Sequence, residues 1–489
     1  MPMFVVLIPF IVGILLYDYV EVELWLASSL MLVAVVAALF TLRRGIGWLY
    51  VFVALAMFGY VVTELHREDV QMPTMQPIDM DVEVVGEPAQ RDGYRVAEGR
   101  VLSWSSGGVA HDSDYTVQLW IRSDTVRHGD VLHLFSELNP RISRHESYDR
   151  LMHRRGYVGG VSVADYNIIA LDRHAPTTLQ SQAVAKFRSL YADSDSDADA
   201  VAMVEAMTLG SRVNISPELR DAYSRTGLAH LVAISGLHLG IVAMVIATLL
   251  LPLNLIHRGH MLRNVLVIVA LWLFVAIGGA SASLVRAAVM FTVLQLALMW
   301  SRNYNALNSL SAAIFAMLVY CPNYLYDVSF QLSVMAVMGI VVWAVPLVRS
   351  LPRRSVVERW VLSTAAVGIV ATLWTMPIVS HTFGNIPIIG IGVTPLLLFT
   401  AYVVVVCGVV MLLLPAALSL PFAWGAEWAA ELQNEITLRA ADYSWASIDY
   451  ALSGEGVAVC YALYAIVTCL LWSYSDHKVI KLVEYDDYK

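Results

Sequence analysis

Two histidines and a serine stand where lipid is expected. The segment "HLVAISGLHLGIV" at 230–242 places His230, Ser235 and His238, together with Gly236 and Gly240, inside a run apolar enough to cross a bilayer. An imidazole offers a donor and an acceptor, a hydroxyl offers both, and a Ser-Gly pair loosens a helix so that backbone groups are freed. That chemistry suits a polar path or cavity at membrane depth. Each ionisable side chain in a span costs about 2.5–3.5 kcal/mol on insertion scales, so it needs a partner or water. The other costly groups fall at span ends. Arg286 opens one span, Asp327 and Gln331 lie four residues apart on one face at the start of another, and His381 and Asn385 close a third. In the orientation derived below, all of these except His238 map to the outer leaflet. They surround an outward-facing vestibule whose floor is Ser235, Gly236 and His238. Plainer roles fit the same residues: a structural ion pair for Arg286 and Asp327, an interfacial ring bonded to a carbonyl for His230, and close helix contact through small residues for Ser235-Gly236.

The elements that must hold these groups follow from composition. Of 489 residues 58% are apolar and only 15% charged, whereas soluble chains carry about 25% charge; the mean hydropathy is +0.64. The fold class is therefore a polytopic α-helical membrane protein. About eleven runs of spanning length are predicted, at 2–16, 22–42, 46–64, 228–253, 262–280, 283–300, 306–321, 328–348, 359–378, 393–414 and 456–474. The first has no basic residue before its apolar core and no small-residue cleavage site, so it is expected to be retained. Cys321, Cys407, Cys460 and Cys469 lie in or beside apolar runs with no metal-ligand spacing. They read as small core residues, and neither a metal nor a cofactor is expected.

The short loops set the orientation. "RRG" at 43–45, "HRGHMLR" at 257–263, "SRN" at 301–303 and "RSLPRRSVVER" at 349–359 are basic, and basic loops remain in the cytoplasm. Alternation then puts the amino terminus inside and residues 66–180 outside. It fails at 415–455, an acidic stretch that a simple count leaves inside. A broken passage through "FGNIPIIGIGVTP" at 383–395 is one way to restore the parity.

Residues 66–180 follow a different pattern. Five alternating segments separated by Gly, Asp, Ser and Pro predict a small extracytoplasmic β-barrel of the OB type. Its 12 arginines against 17 acids leave no global basic face. One segment, "RISRHESYDRLMHRR", concentrates Arg141, Arg144, Arg154 and Arg155. With Trp104 or Trp120 as stacking rings it can track a single strand, or else it is a solvated helix packed on the membrane part. The acids of "DSDSDADA" fit a helix start better than a calcium loop, because Ala198 and Val204 stand where a loop needs Gly and Glu. The chain thus divides into a three-helix membrane segment at 1–65, the OB-like domain at 66–180, amphipathic connecting helices at 181–227, a channel-like helical domain at 228–475 and a polar tail at 476–489.

"MTLGSRVNISPELRDAYSRTGLAHLVAISGLHLGIV" at 207–242, "SASLVRAAVM" at 281–290, "NALNSLSAAIFAMLVYCPNYLYDVSFQLSVMAVMGIV" at 305–341 and "FGNIPIIGIGVTP" resemble the successive signatures of the ComEC family of competence proteins. The likeness is strong over roughly 200 to 415 and weaker over 1–180. It implies a channel admitting single-stranded DNA across the bacterial inner membrane in natural transformation, with His230, Ser235, Gly236, His238, Arg286, Asp327, Gln331, His381 and Asn385 lining the path. It implies no catalytic residue, and it implies a DNA receptor and a cytoplasmic motor as partners beside the strand and membrane lipid. Many family members add a metallo-β-lactamase-like domain; this chain, without an HxHxD cluster, resembles a short form lacking it. Two other classes stay open, a secondary transporter of a small solute and an intramembrane serine protease using Ser235 with a base such as His381.

Overall fold

The computed structural model describes residues 3–474 except 42–46, 67–71, 92, 107–108, 124–125, 127–128, 144–148, 150–151, 154–155, 174–178, 193–195, 213, 233, 280–281, 301–305, 351–354 and 444. The polar tail lies outside the described residues.

Three helices come first: α1 (Met3–Tyr17), α2 (Leu24–Thr41) and α3 (Gly47–Leu65). α1 and α3 approach closely where glycines face carbonyls. A Cβ on Gly13 would sit 1.8 Å from the Ala56 oxygen, and one on Gly59 would sit 2.2 Å from the Phe10 oxygen. Small residues at such contacts let backbones meet where hydrocarbon supplies no hydrophobic drive. The same helices pack on α11 (Ala306–Tyr320) through Phe10, Ile14, Ile314 and Leu318, all buried.

The next segment is β-rich, with β1 (Pro77–Arg91), β2 (Tyr94–Ser106), β3 (Val109–Ile121), β4 (Asp130–Asn139), β5 (Tyr157–Val163) and β6 (Ile168–Arg173). β1 pairs antiparallel with β2 and with β4, β2 with β3, β4 with β6, and β3 runs parallel to β5. Alternate residues turn inward, so Val82, Val84, Val101, Val117, Leu119, Leu132, Leu134 and Val161 form a dry core. Two details differ from the expected five-stranded barrel. The last alternating segment folds back at 164–167, where the Asn167 N–H bonds the Ala164 carbonyl at 2.9 Å, and makes two strands. The β4–β5 seam is only two residue pairs long, Leu138↔Val161 and Asn139↔Gly160, so the sheet is six-stranded rather than a uniformly closed barrel.

Residues 179–225 form α4 (Leu179–Tyr191), α5 (Ala198–Leu209) and α6 (Pro217–Arg225). The acidic run explains itself here. Asp197 is the N-cap of α5 and accepts from the Asp199 N–H, while Asp199 accepts from the backbone and hydroxyl of Ser216, the N-cap of α6. Asp193 and Asp195 lie outside the described residues.

Beyond them come α7 (Ala229–Val232), α8 (Gly236–Leu249), α9 (Gly259–Ile277), α10 (Ala282–Trp300), α12 (Val328–Ser350, with a π-helical turn at Ile340–Ala344), α13 (Val356–Phe383), α14 (Ile389–Leu413), α15 (Ala416–Ala441) and α16 (Gly454–Tyr474). Among the described residues seven helices are long and apolar enough to cross a membrane. The shorter apolar helices Met3–Tyr17, Gly236–Leu249, Ser283–Met299 and Ala306–Tyr320 occupy the remaining expected runs. Every expected run thus holds an apolar helix, and the 228–253 run is interrupted at Ser235.

The stretch expected as an acidic loop is mostly helix. α15 lies antiparallel to α14 and buries one face of small and neutral residues, Ala423, Ala426, Ala430, Gln433, Thr437 and Ala441. Its glutamates stay on the other face. At the open end of this helical hairpin β7 (Asn385–Pro387) pairs with β8 (Ser447–Asp449), Asn385 opposite Asp449. Residues 385 and 449 therefore sit on one side of the membrane, and the broken passage proposed at 383–395 is not formed: that segment is the end of α13, β7 and the start of α14. α16 then returns alongside α13, with the Tyr461 and Tyr464 hydroxyls donating to the carbonyls of Trp374 and Leu373. In a variant freed of its four native cysteines, cysteines at Ile386 and Ile448 should oxidise to a disulfide, read as the loss of two titratable thiols, whereas a pair at Ile386 and Trp424 should not.

Candidate functional site

Ser235 marks the interruption. The chain leaves helical geometry at Ile234 and Ser235 and resumes at Gly236, with Ser235 extended at φ −117° and ψ 174°. The new helix start is closed by a reciprocal cap. The Ser235 side chain accepts from the His238 backbone, and His238 Nδ1 accepts from the Ser235 N–H at 3.0 Å, with the Ser235 hydroxyl 2.9 Å from the same nitrogen. Accepting a backbone N–H requires an unprotonated Nδ1, so the neutral ring carries its proton on Nε2. That Nε2 is buried and has no hydrogen-bond partner among the described residues. Gly236 and Leu237, just after the break, are exposed.

Gly236 faces α10: a Cβ there would lie 3.6 Å from the Ala287 Cβ, ordinary contact. The next residue back on α10 is Arg286, 1% exposed, whose Nη2 donates to the Ser329 carbonyl at 2.8 Å. Its Nε and Nη1 find no partner among the described residues, and its Cζ stands 6.0 Å from the Phe330 ring centroid. A buried guanidinium with two open N–H groups keeps capacity for an anion or for water. Asp327 is the N-cap of the α12 start, accepts from the Phe330 N–H at 3.0 Å, and is an electrostatic neighbour of Arg286. Gln331 donates to the Leu325 carbonyl at 2.9 Å. Arg286, Asp327 and the α12 start thus form one polar group, α10 meets the restart of α8 where Gly236 faces Ala287, and His238 at the break has His230 as its electrostatic neighbour.

The remaining sequence candidates group elsewhere. His230 is exposed and its Nδ1 lies 3.0 Å from the Gly227 carbonyl, the carbonyl-bonded arrangement weighed against a pore role. His381 is exposed with Nδ1 2.8 Å from the Leu452 carbonyl, so it is tied to the β8–α16 connection and not to Ser235. Asn385 is held in the β7–β8 ladder. Gly227 joins two of these residues: its carbonyl meets His230, it has φ +74°, and a Cβ on it would come within 2.5 Å of Pro387 in the strand that holds Asn385.

In the β-rich segment Trp104 is 7% exposed and stacks on His111 at 4.2 Å, so its indole is part of the core and is not offered outward. Trp120 is half-buried and lies over Gly160, where any Cβ would meet the ring at 2.3 Å. Arg141 is exposed, while Arg144, Arg154 and Arg155 lie outside the described residues.

Sequence reasoning missed a second polar set. Gln433 and Asn434 on α15 hold the buried Tyr223 of α6, the Tyr223 hydroxyl donating to Asn434 Oδ1 at 3.0 Å and receiving from Gln433 Nε2 at 3.1 Å, and Gln433 also accepts from Thr400 of α14 at 2.9 Å. Arg188 of α4 and Asn214 hold the buried Glu205. Lys186 donates to the Leu412 and Leu414 carbonyls and closes the end of α14. The signal available for α15 was its recurrence of small residues at helical spacing, masked by the charges on its other face.

A broken membrane helix capped by its own side chains and flanked by a buried arginine, in a multi-helix protein with a β-rich insertion, defines a membrane protein with a polar centre. Residues 207–475, more than half of the chain, match the Competence protein family, to which the chain therefore belongs. It is also similar to "ComE operon protein 3" of Bacillus subtilis (strain 168), 27% identical over 231 residues. That match covers 46% of this chain and 28% of the relative, so most of the relative's length lies outside the likeness. No solved structure matches.

The two glycines separate packing from function. Gly227→Ala combines a left-handed backbone, worth about 1–2 kcal/mol, with the Pro387 contact and should lower the amount of folded protein in the membrane. Gly236→Ala should leave abundance and thermal stability near the parental values, as its new methyl only touches Ala287.

Proposed function

We propose that this protein is a non-enzymatic channel that admits single-stranded DNA during natural transformation. The observation that carries the reading is the interrupted helix beside Arg286, a site where backbone, imidazole and guanidinium groups are gathered within a hydrocarbon-length stretch. Single-stranded DNA brings one negative charge per nucleotide, so a conduit needs donors and some fixed positive potential, yet sites weak enough to let go. One buried arginine and a neutral histidine donor meet that need better than a dense lysine cluster. Membership of the competence family and the similarity to a ComE operon protein support the same reading.

The orientation we favour has the basic loops in the cytoplasm of the inner membrane and the β-rich domain outside. The β7–β8 pairing supports it: with 349–359 inside, 385 and 449 fall outside together, and the acidic 442–455 segment no longer violates the charge rule. For the β-rich domain we favour an OB-type fold, since β1 pairs with both β2 and β4 and β3 runs parallel to β5, the strand order of a partly open five-stranded barrel carrying one extra strand. The arginine-rich 141–155 segment then connects strands four and five, where OB domains hold oligonucleotides. The excess of acids over arginines in the whole 66–180 domain makes any contact weak and salt-sensitive. A DNA receptor outside and a motor inside would hand on and draw the strand.

A strain deleted for the gene, complemented with variants, separates DNA held outside from DNA reaching the cytoplasm. Arg286→Met paired with Asp327→Asn removes the buried charge while Asn keeps the helix cap, so the protein should accumulate and melt like the parent. Internalised DNA should fall at least about tenfold, equivalent to about 1.4 kcal/mol, with outside binding unchanged. Entry at the parental level in this double variant overturns the role of Arg286. Orientation is read independently: cysteines at the exposed Tyr166 and Asp449 should both react with a membrane-impermeant maleimide in intact spheroplasts, and protection of both until lysis inverts the topology.

A further inference from the structure

The β7–β8 element holds aromatic side chains away from the protein that anchors it. Phe383, Tyr443, Trp445 and Tyr450 are 62%, 55%, 56% and 57% exposed, although their backbone is pinned. The Ala446 carbonyl accepts from the Ile388 and Ile389 N–H groups at 3.0 and 3.2 Å. The Ser380 hydroxyl donates to the Tyr450 carbonyl at 2.6 Å and accepts from the Leu452 N–H at 3.2 Å. The Tyr443 and Trp445 rings stand 5.5 Å apart, tilted by 39°. Pro387 abuts Gly227, which leads through His230 to the break at Ser235. A hydrogen-bonded tab thus presents exposed rings beside Gly227 and the chain that leads to Ser235.

We infer that this tab is a stacking platform for the bases of the incoming single strand, an inference that rests on the channel reading above. Every base has a π-face, so stacking holds a strand without reading its sequence. The charge around the rings sets the mode of contact. Asp442 and Asp449 are exposed on the same element and repel phosphate, which turns the backbone outward and leaves the bases to meet the rings. The same acids keep the hold weak enough for the strand to move on. Tyr443 and Trp445, already paired, are the central rings.

Bilayer anchoring is the competing use of rings at span ends, and it depends on apolar area and an interfacial ring rather than on stacking. In native membranes carrying the full chain, a bromodeoxyuridine-substituted single strand is photo-crosslinked and the labelled peptides are mapped. The expected result is labelling of the peptide holding Tyr443 and Trp445. The double change Tyr443→Leu with Trp445→Leu keeps apolar area but removes π-faces, and should cut both crosslinking and DNA entry about tenfold at unchanged abundance and outside binding. The double change to Phe should restore both. Parental entry in the Leu variant, or crosslinks confined to other peptides, overturns the platform while leaving the channel standing. A parental protein that crosslinks to no strand and supports no entry overturns both.

Discussion

An interrupted helix at membrane depth leaves free N–H groups where it restarts and free carbonyls where it stops, and hydrocarbon offers a partner to neither. Here the N–H groups are met by a reciprocal cap between Ser235 and His238, two residues of one short stretch satisfying each other. The rest of the membrane part is arranged around that solution. α8 can begin in the middle of a span because Ser235 and His238 close its start, and α10 lies against it where Gly236 faces Ala287. Arg286, the neighbour of Ala287, is thereby placed next to the break and held by a carbonyl of α12. The cost of burying these groups is offset locally by hydrogen bonds, yet each keeps a donor open, which is the property a passage for a polyanion requires.

A second device fixes the surroundings. The α14–α15 hairpin packs α4, α5 and α6 against the membrane helices through one continuous apolar core, with Tyr223, Gln433, Asn434 and Thr400 as its polar centre. Neutral amides suit that position because they offer several hydrogen bonds without a charge to desolvate. The glutamates of α15 remain off the buried face, where Trp424 and Trp428 are exposed as well. Its closed end is capped by Lys186 and its open end by the β7–β8 ladder, which returns the chain to the side it left.

The β-rich segment follows a separate logic. Alternation sends every second side chain into one core, and Gly160 makes room for Trp120 to lie flat across β5. Trp104 was read as an outward ring because alternation gives a period and not a direction. The short β4–β5 seam is where the long arginine-rich connection departs, so the weakest pairing of the sheet sits beside its most basic segment.

Composition and periodicity alone determined the solvent, the approximate places of the apolar helices, the alternating strands and the weak point at Ser235-Gly236. Each of these depends on residues near one another in sequence: a run of apolar side chains, a period of two, a serine before a glycine. The helix-start role of Asp197 was legible for the same reason, since it accepts from an N–H two residues on, whereas Asp199 holds Ser216 seventeen residues away. Only the tertiary structure decided the rest. It set α10 against the break through Ala287, tied His381 and Asn385 to the β7–β8 end, kept His230 beside His238, split one strand into two, and made a helix of most of the acidic stretch at 415–455. It also brought 385–387 against 447–449, a contact across sixty or more residues. No local pattern encodes such a contact, since its free energy depends on the helices between the strands being packed first.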